Sequence, residues 1–329
     1  MAIIKLVIIL RLDILLLNLI QNSKQTILNH PRWLTQRWQN RFGREEMERI
    51  CRQNNSQAPL ILQVNSCKTR RNDLLELLQG ADVQAEKCQH SETGILLSDF
   101  HGRIDALPGY DDGLFQVQDQ GAQVLGQLFL PMQPEGRYLD ACAGAGGKTS
   151  MLIQLCEAVG ATVSAVEPDA GRRDIFLSNM SRLHPALDVP LFAGTLGDFA
   201  KKSYEKFSGI LLDAPCSGTG VTGRHPDIRW NRREEDLQKY QQTQLALLHS
   251  AAGLLAPGGI LLYATCSLEE EENEQVIETF LAENSDFSLQ DCRQHFPGTP
   301  ENLFRQEFFA PLPQKGMDGF FGARLQKSM

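Results

Sequence analysis

From about residue 106 onward the chain alternates short, unbroken apolar runs with longer stretches of helical spacing. Residues 138–141, 161–166, 190–193, 209–213 and 258–264 are runs of the first kind, the last entered through Pro257-Gly258-Gly259. Runs of that length and purity read as strands buried on both faces. Residues 149–159, 172–183 and 236–255 carry the helical spacing between them. The alternation predicts an α/β fold of Rossmann-like type, a doubly wound and mostly parallel sheet. Ligands in such sheets bind beyond the carboxyl ends of the strands, so the loops that follow the runs are where chemistry is expected.

The pattern ahead of this region is different. Residues 59–65 alternate as a strand, 72–78 are helical and 95–97 are again strand-like, which together predict a small α+β unit. It is preceded, from about residue 25, by Arg32, Arg37, Arg41, Arg44, Arg49 and Arg52 with Trp33, Leu34, Trp38 and Phe42 between them. That spacing fits an amphipathic helix pair, whose arginines form either a solvated basic face or a surface that contacts phosphates. The chain thus divides into 1–24, a smaller RNA-binding unit at 25–105 and the α/β unit at 106–329. Residues 1–20 are strongly apolar but interrupted by Lys5, Arg11 and Asp13. A span of about 20 residues carries few charges, so a helix packed on the rest of the protein, or the remnant of an upstream domain, is expected there instead.

Composition narrows the chemistry. The 329 residues carry a net charge of −8, which argues against an extended basic binder of nucleic acid but leaves room for a local phosphate-contacting patch. None of the eight cysteines is spaced C-x-x-C, so neither a zinc site nor a thioredoxin-type motif is indicated, and no metal is expected. No cleavable signal precedes them. Reduced thiols in a cytoplasm are expected, with no stable membrane association.

Three strand ends bear the candidate site. The first run leads into Asp140-Ala141-Cys142-Ala143-Gly144-Ala145-Gly146-Gly147-Lys148-Thr149, where glycines let a cofactor approach the backbone and a helix N-terminus offers free N–H groups. Gly147-Lys148-Thr149 also matches the end of a P-loop, whose first glycine would fall on Cys142, so a P-loop NTPase is a competing reading. Glu167 ends the next run, twenty residues after Gly147, where an acidic side chain can accept hydrogen bonds from ribose hydroxyls. Asp213-Ala214-Pro215-Cys216-Ser217 follows another run, and its proline restricts the loop that carries the thiol. A second thiol, Cys266, ends the last run, and Ser267-Leu268-Glu269-Glu270 after it reads as a capping box that opens a helix and favours a thiolate. Two thiols and an aspartate around one crevice suit nucleophilic chemistry. Spacing leaves open which thiol attacks.

Taken together, the CAGAGGKT loop, DAPCSGTG, Arg224-His225-Pro226-Asp227-Ile228-Arg229-Trp230 and ATCS resemble the Nop/Sun RNA (cytosine-5) methyltransferases. Gln118-Asp119, the acidic Glu270–Asn273 stretch and Asp318-Gly319-Phe320-Phe321 extend the resemblance over residues 31–325. It implies S-adenosylmethionine as cofactor, held by residues 142–148 of the glycine loop and by Glu167, with Asp213 near both cofactor and base. It further implies Cys266 as nucleophile, Cys216 as the thiol that assists product release, and an RNA substrate, ribosomal first and transfer RNA next. The family usually has a proline before its paired glycines where this chain has Ala143-Gly144-Ala145. It places an aspartate after the fourth strand, where Thr195 stands here with Asp198 three residues on, so the adenine contact falls to one of these two. Some members carry an N-terminal NusB-like helical domain, which this chain is expected to lack or to retain only as its apolar start. An inactive RNA-binding scaffold is a further alternative.

The implied mechanism adds the Cys266 thiolate at C6 of cytosine and passes a methyl group to C5. Asp213, protonated or suitably hydrogen-bonded, would stabilise charge around N3. Such a base must be unstacked, which favours single-stranded or looped RNA. Arg224, His225, Arg229, Trp230, Arg232 and Arg233 are candidates to grip the flanking backbone.

Overall fold

The computed structural model describes residues 26–296 and 300–329. Expectations for residues 1–24 therefore lie outside the described residues.

Two short strands, β1 (Thr26–Ile27) and β2 (His30–Pro31), pair antiparallel and lead into helices α1 (Arg32–Phe42) and α2 (Arg44–Asn55). The helices close on each other through Leu34, Trp38, Met47, Ile50 and Cys51, and Leu268 of the α/β unit joins that cluster. Strand β3 (Leu60–Val64), helix α3 (Arg71–Gly80), β4 (Ala85–Lys87), β5 (Gly94–Leu97) and β6 (Phe115–Val117) follow. The four strands form an antiparallel sheet in the order β4-β5-β3-β6, over a core that includes Leu62, Leu74, Leu78, Ile95 and Phe115. The fourth strand comes from beyond the division at residue 105. Its three residues are too few to show a period, and only the pairing of Val64 with Phe115 reveals it.

The second unit begins with α4 (Gln120–Leu125), capped by Asp119, whose carboxylate accepts from the Gly121 N–H. Then come β7 (Arg137–Asp140), α5 (Gly147–Glu157), β8 (Thr162–Val166), α6 (Ala170–Leu183), β9 (Leu191–Phe192), α7 (Leu196–Lys202) and β10 (Phe207–Asp213). The short α8 (Ile228–Asn231) and long α9 (Asp236–Leu254) lead to β11 (Leu255–Thr265) and α10 (Glu274–Glu283), followed by β12 (Phe287–Gln290), β13 (Phe304–Arg305), β14 (Phe308–Phe309) and β15 (Phe321–Lys327).

Strands β9-β8-β7-β10-β11 run parallel; β15 returns antiparallel against β11, with β14 and β12 pairing to it. The sheet is therefore mixed at one edge and doubly wound elsewhere. Separate apolar clusters cover its two faces, which is why the central strands lack alternation. Ile210, Leu211 and Leu212 are fully buried, each contributing about 2 kcal/mol of apolar transfer. Between β7 and β10 the chain order reverses direction across the sheet. That switch opens a crevice at their carboxyl ends.

Candidate active site

The two thiols meet in that crevice. Asp213 on β10 is in register with Ala264 on β11, and the Ala214 N–H extends the ladder to the Ala264 carbonyl at 2.9 Å. The loops leaving these strands bring Cys216 Sγ to 3.1 Å from Cys266 Sγ, both half-buried and both free. Contact with Cys266 and burial push the Cys216 thiol well above its ordinary range. Cys216 is thus favoured as the neutral thiol, which can donate a proton but is not a resting thiolate.

Asp213 Oδ2 accepts from the Lys148 ammonium at 2.6 Å, and the ammonium lies 5.3 Å from the centre of the Phe320 ring. Burial works against the charge of Lys148, but Asp213 outweighs it and raises its pKa. Asp213 is therefore hydrogen-bonded, one of the two conditions set for it. The Lys148 head, expected among the cofactor contacts, thus pairs with Asp213, which is expected near both cofactor and base.

On the cofactor side, the loop after β7 is laced between two strands. The Ala141 N–H donates to the Leu211 carbonyl at 2.8 Å and the Ala143 N–H to the Val166 carbonyl at 3.0 Å. Gly146 adopts φ +88° at the cap of α5, and a Cβ there would lie 3.0 Å from both Phe176 and Met180. Only glycine fits both restrictions. Buried Glu167 accepts from the Gly144 N–H and the Asp169 N–H, at 2.8 Å each, one on each oxygen. Each oxygen keeps a second lone pair.

Two features test whether this loop fits a nucleoside cofactor. A Cβ on Gly144 would meet nothing within 4 Å, so space lies open in front of the loop. Buried Asp140 accepts from Thr149 through Oδ2 at 2.7 Å while its Oδ1 lacks a partner, and burial raises its pKa to about 6. Open space, acceptor capacity on Glu167 and an unmatched acceptor on Asp140 fit such a ligand. Thr195 and Asp198 stand apart: the threonine hydroxyl donates to Asp198 Oδ2 at 2.7 Å and accepts from its N–H at 3.1 Å, capping α7. Both are exposed.

Three expectations are corrected. Ser267 opens no α-helix: a 3₁₀ turn at Glu270–Glu272 follows and α10 starts only at Glu274. Its hydroxyl instead donates to Glu272 at 2.5 Å and accepts from the Glu269 N–H at 3.1 Å, so no helix N-terminus supports the Cys266 thiolate. Second, the arginines of α1 and α2 form no free basic face. Arg37 pairs with Glu234, Glu269 and Glu271, Arg41 with Glu270 and Glu274, Arg49 with Glu46, and Arg44 and Arg52 both with Glu48. Acidic residues distant in sequence neutralise Arg37 and Arg41, glutamates one turn away on α2 neutralise Arg44, Arg49 and Arg52, and Arg32 stays exposed. Third, most of the basic set after the DAPCSGTG loop serves the fold. Arg224 pairs with Asp119 at 3.0 Å and Asp318 at 2.5 Å; Arg229 bonds Asn54 and Asn55; Arg232 donates to the Ser217 carbonyl at 3.0 Å; Arg233 pairs with Glu235. Trp230 remains exposed.

The Arg224 pairs also give roles to Asp119 and Asp318, while the Gly319 N–H donates to the Gly220 carbonyl at 2.9 Å. Residue spacing alone gave no sign of this pin, nor of Glu272, which lies between both thiol-bearing loops.

A family model described as 16S rRNA methyltransferase RsmB/F matches residues 127–326, and one described as a ferredoxin-like domain of the same group matches residues 30–102. The chain belongs to the RsmB/F methyltransferase family. The chain is 39% identical over 300 residues to the ribosomal RNA small subunit methyltransferase B of Pseudomonas syringae pv. tomato, covering 91% of this chain and 66% of that one. It is 36% identical over 317 residues to the protein of the same name from Salmonella paratyphi B, covering 93% and 71%. The chain thus spans 66% of the length of the first of these RsmB/F relatives. A methyltransferase homologue from Pyrococcus horikoshii is 29% identical with a TM-score of 0.71, over 87% of this chain and 92% of that one. NSun6 from Pyrococcus horikoshii, solved with SFG, shares the fold at a TM-score of 0.79 and 20% identity, over 91% and 98%. RsmB/F membership leaves the P-loop and inactive-scaffold readings without support. Among the described residues no side-chain cluster is arranged to hold a metal, and no helix is long and apolar enough to cross a membrane.

Proposed function

We propose that the protein is a cytoplasmic, S-adenosylmethionine-dependent RNA (cytosine-5) methyltransferase acting on small-subunit ribosomal RNA. One observation carries the reading: two free thiols 3.1 Å apart at the ends of adjacent parallel strands, facing a lysine–aspartate pair. A methyltransferase acting on an oxygen or on an exocyclic nitrogen has no need of that arrangement. The similarity to ribosomal RNA small subunit methyltransferases supports the choice of ribosomal RNA.

Carbon 5 of cytosine is a weak nucleophile until a group adds at C6. Cys266, freed of its proton, forms the S–C6 bond, and the electron pair of the C5–C6 bond moves toward N3. Lys148 and Asp213 together bear on that developing charge, the ammonium as donor and the carboxylate as its anchor. Residues 142–148 and Glu167 would hold S-adenosylmethionine, which would supply the electrophilic methyl group for C5 with S-adenosylhomocysteine as the leaving group. Transfer of the C5 proton to a water molecule lets the C5–C6 double bond reform as the S–C6 bond breaks, releasing Cys266 as thiolate. Cys216, in contact with Cys266, is placed to assist that expulsion. Exposed Trp230, on α8 after the Cys216 loop, is available to stack on a nucleotide beside the target.

The test is methyl transfer from methyl-labelled S-adenosylmethionine to unmodified small-subunit ribosomal RNA, followed on denaturing gels. Wild type is expected to label the RNA and Cys266→Ala not to. Cys216→Ala is expected to accumulate a protein–RNA adduct stable to denaturation. An adduct that survives in Cys266→Ala but not in Cys216→Ala would reverse the two roles. Absence of label with every RNA would overturn the activity.

A further inference from the structure

Glu272 lies under both thiol loops and is fully buried. Its Oε2 accepts from the Ser217 N–H at 2.7 Å and from Gln244 Nε2, on α9, at 3.1 Å. Its Oε1 accepts from the Ser267 hydroxyl at 2.5 Å and from the Ser217 hydroxyl. Its main-chain carbonyl accepts from the Tyr263 hydroxyl at 2.6 Å. Ser217 and Ser267 are the residues directly after Cys216 and Cys266, and their hydroxyls lie 3.1 Å apart. Each thiol therefore sits one residue from a serine bound to the same carboxylate.

Among the described residues no basic side chain pairs with Glu272. A buried carboxylate without a cation costs several kcal/mol unless hydrogen bonds replace its hydration. Here three of the four donors come from the two thiol loops themselves. The remaining ties between those loops are few: the Gly220 N–H to the Cys266 carbonyl and the Leu268 N–H to Thr219 Oγ1, at 2.9 Å each, and a long contact between the Thr219 and Ser267 hydroxyls at 3.4 Å. Neighbouring Asn273 completes the brace on one side only, accepting from Thr265 Oγ1 at 2.6 Å and donating to the Ser267 carbonyl at 2.9 Å.

We infer that Glu272 is a positioning residue: its carboxylate clamps Ser217 and Ser267 together and thereby holds the Cys216 and Cys266 thiols in contact. It touches neither base nor cofactor. Burial pushes its carboxyl up while the serine hydrogen bonds pull it back, so the clamp depends on the donors the loops bring. The inference deepens the proposed reaction, because two thiols that act in succession on one base must be kept within reach of it. Its physical content does not depend on that reaction.

The experiment exploits this independence. Diamide, an azo oxidant, accepts two electrons and two protons as two thiols close to a disulfide, and the closure rate reports how often the sulfurs meet. Cys216–Cys266 closure is followed by mass spectrometry in wild type, Glu272→Gln and Glu272→Asp, without RNA or cofactor and alongside thermal melting. Glu272→Gln retains the size but exchanges an acceptor oxygen for a donor. It is expected to slow closure about tenfold or more while the protein stays folded, with Glu272→Asp intermediate. In the transfer assay kcat is expected to fall by a similar factor, with KM for RNA and cofactor within about twofold. Closure as fast as wild type in folded Glu272→Gln overturns the inference, whatever happens to activity. If Glu272→Gln does not fold, Ser217→Ala with Ser267→Ala removes the clamped hydroxyls instead and is judged by the same rate. Slowed closure in a protein that transfers no methyl group would support the clamp and refute the proposed function.

Discussion

On the thiol side of the crevice the loops after β10 and β11 are joined by side chains, with Ser217, Ser267, Gln244 and Glu272 in one buried network. On the cofactor side the loop after β7 is held through its main-chain groups: Ala141, Ala143 and Gly146 bond to other backbone, and the Glu167 and Asn179 side chains bond the Gly144 N–H and the Ala145 carbonyl. Space stays open before Gly144, and Asp140 Oδ1 has no partner. The difference matches what each side has to do. A nucleophile must be aimed to within about half an ångström, which requires rigid side-chain support. A cofactor that enters and leaves needs space and free polar groups, which a glycine turn beside a helix N-terminus provides.

The largest effect that would sharpen this contrast is expected from Asp213→Asn. Loss of the ion pair with Lys148 is expected to lower kcat about 10²-fold while affinity for S-adenosylhomocysteine, read by calorimetry, stays within about twofold. An equal loss of affinity would show that the pair belongs to the cofactor side.

Next is the acid limb of stability, since each side carries one buried histidine. His30 packs edge-on to Trp38, whose indole donates to Glu269, and His184 bonds Ser150 on α5. Burial lowers both to about 4 from 6.5. The folded state keeps them neutral where the unfolded chain binds protons. Stability is therefore complete above pH 6.5 and is lost as pH falls toward 4. His184→Gln, compared with wild type by denaturant unfolding at pH 7 and pH 4.5, is expected to remove about 2 kcal/mol of that fall. An unchanged slope would mean that His184 takes up its proton without opening the cofactor side.

Gly146→Ala follows, expected to destabilise by about 1–2 kcal/mol because φ +88° disfavours a side chain and Phe176 and Met180 crowd the Cβ. Cofactor affinity should weaken with it, while Cys216–Cys266 closure by diamide should not change. A change in both would break the independence of the two sides. The smallest effect is expected from Arg44→Ala with Arg52→Ala. Both arginines already face Glu48, so RNA affinity should move by less than about twofold, and the salt dependence should stay unchanged. A clear drop in affinity would restore the phosphate-contact reading for α2.

Much of this was legible in the residues. The largely apolar runs located β7, β8, β10 and β11, because strands buried on both faces carry few polar positions to obscure them. The site loops were legible because function at a strand end requires residue types, glycine or cysteine, that structure alone seldom demands there. Phe115–Val117 was missed because three residues carry no period. Strands β12, β13 and β14 were missed because two- and four-residue pieces gain their identity only from the partner they pair with, and the seven-residue β15 is identified by its antiparallel pairing with β11. Ser267 misled for a related reason: serine followed by acidic residues caps a helix in isolation, but Glu269 and Glu271 turn to Arg37 while Glu272 turns inward.

The sequence by itself determined the α/β class, the strand ends and the chemical kinds of residue that gather there, because hydrophobic period and turn chemistry are local properties. Only the tertiary structure decided which charges meet. It turned Arg37 and Arg41 of α1 toward the acidic stretch before α10, paired Lys148 with Asp213, and placed one carboxylate beneath two thiols fifty residues apart. Pairing of charged and hydrogen-bonding groups depends on distances of a few ångströms between segments remote in sequence, and those distances exist only once the sheet has closed.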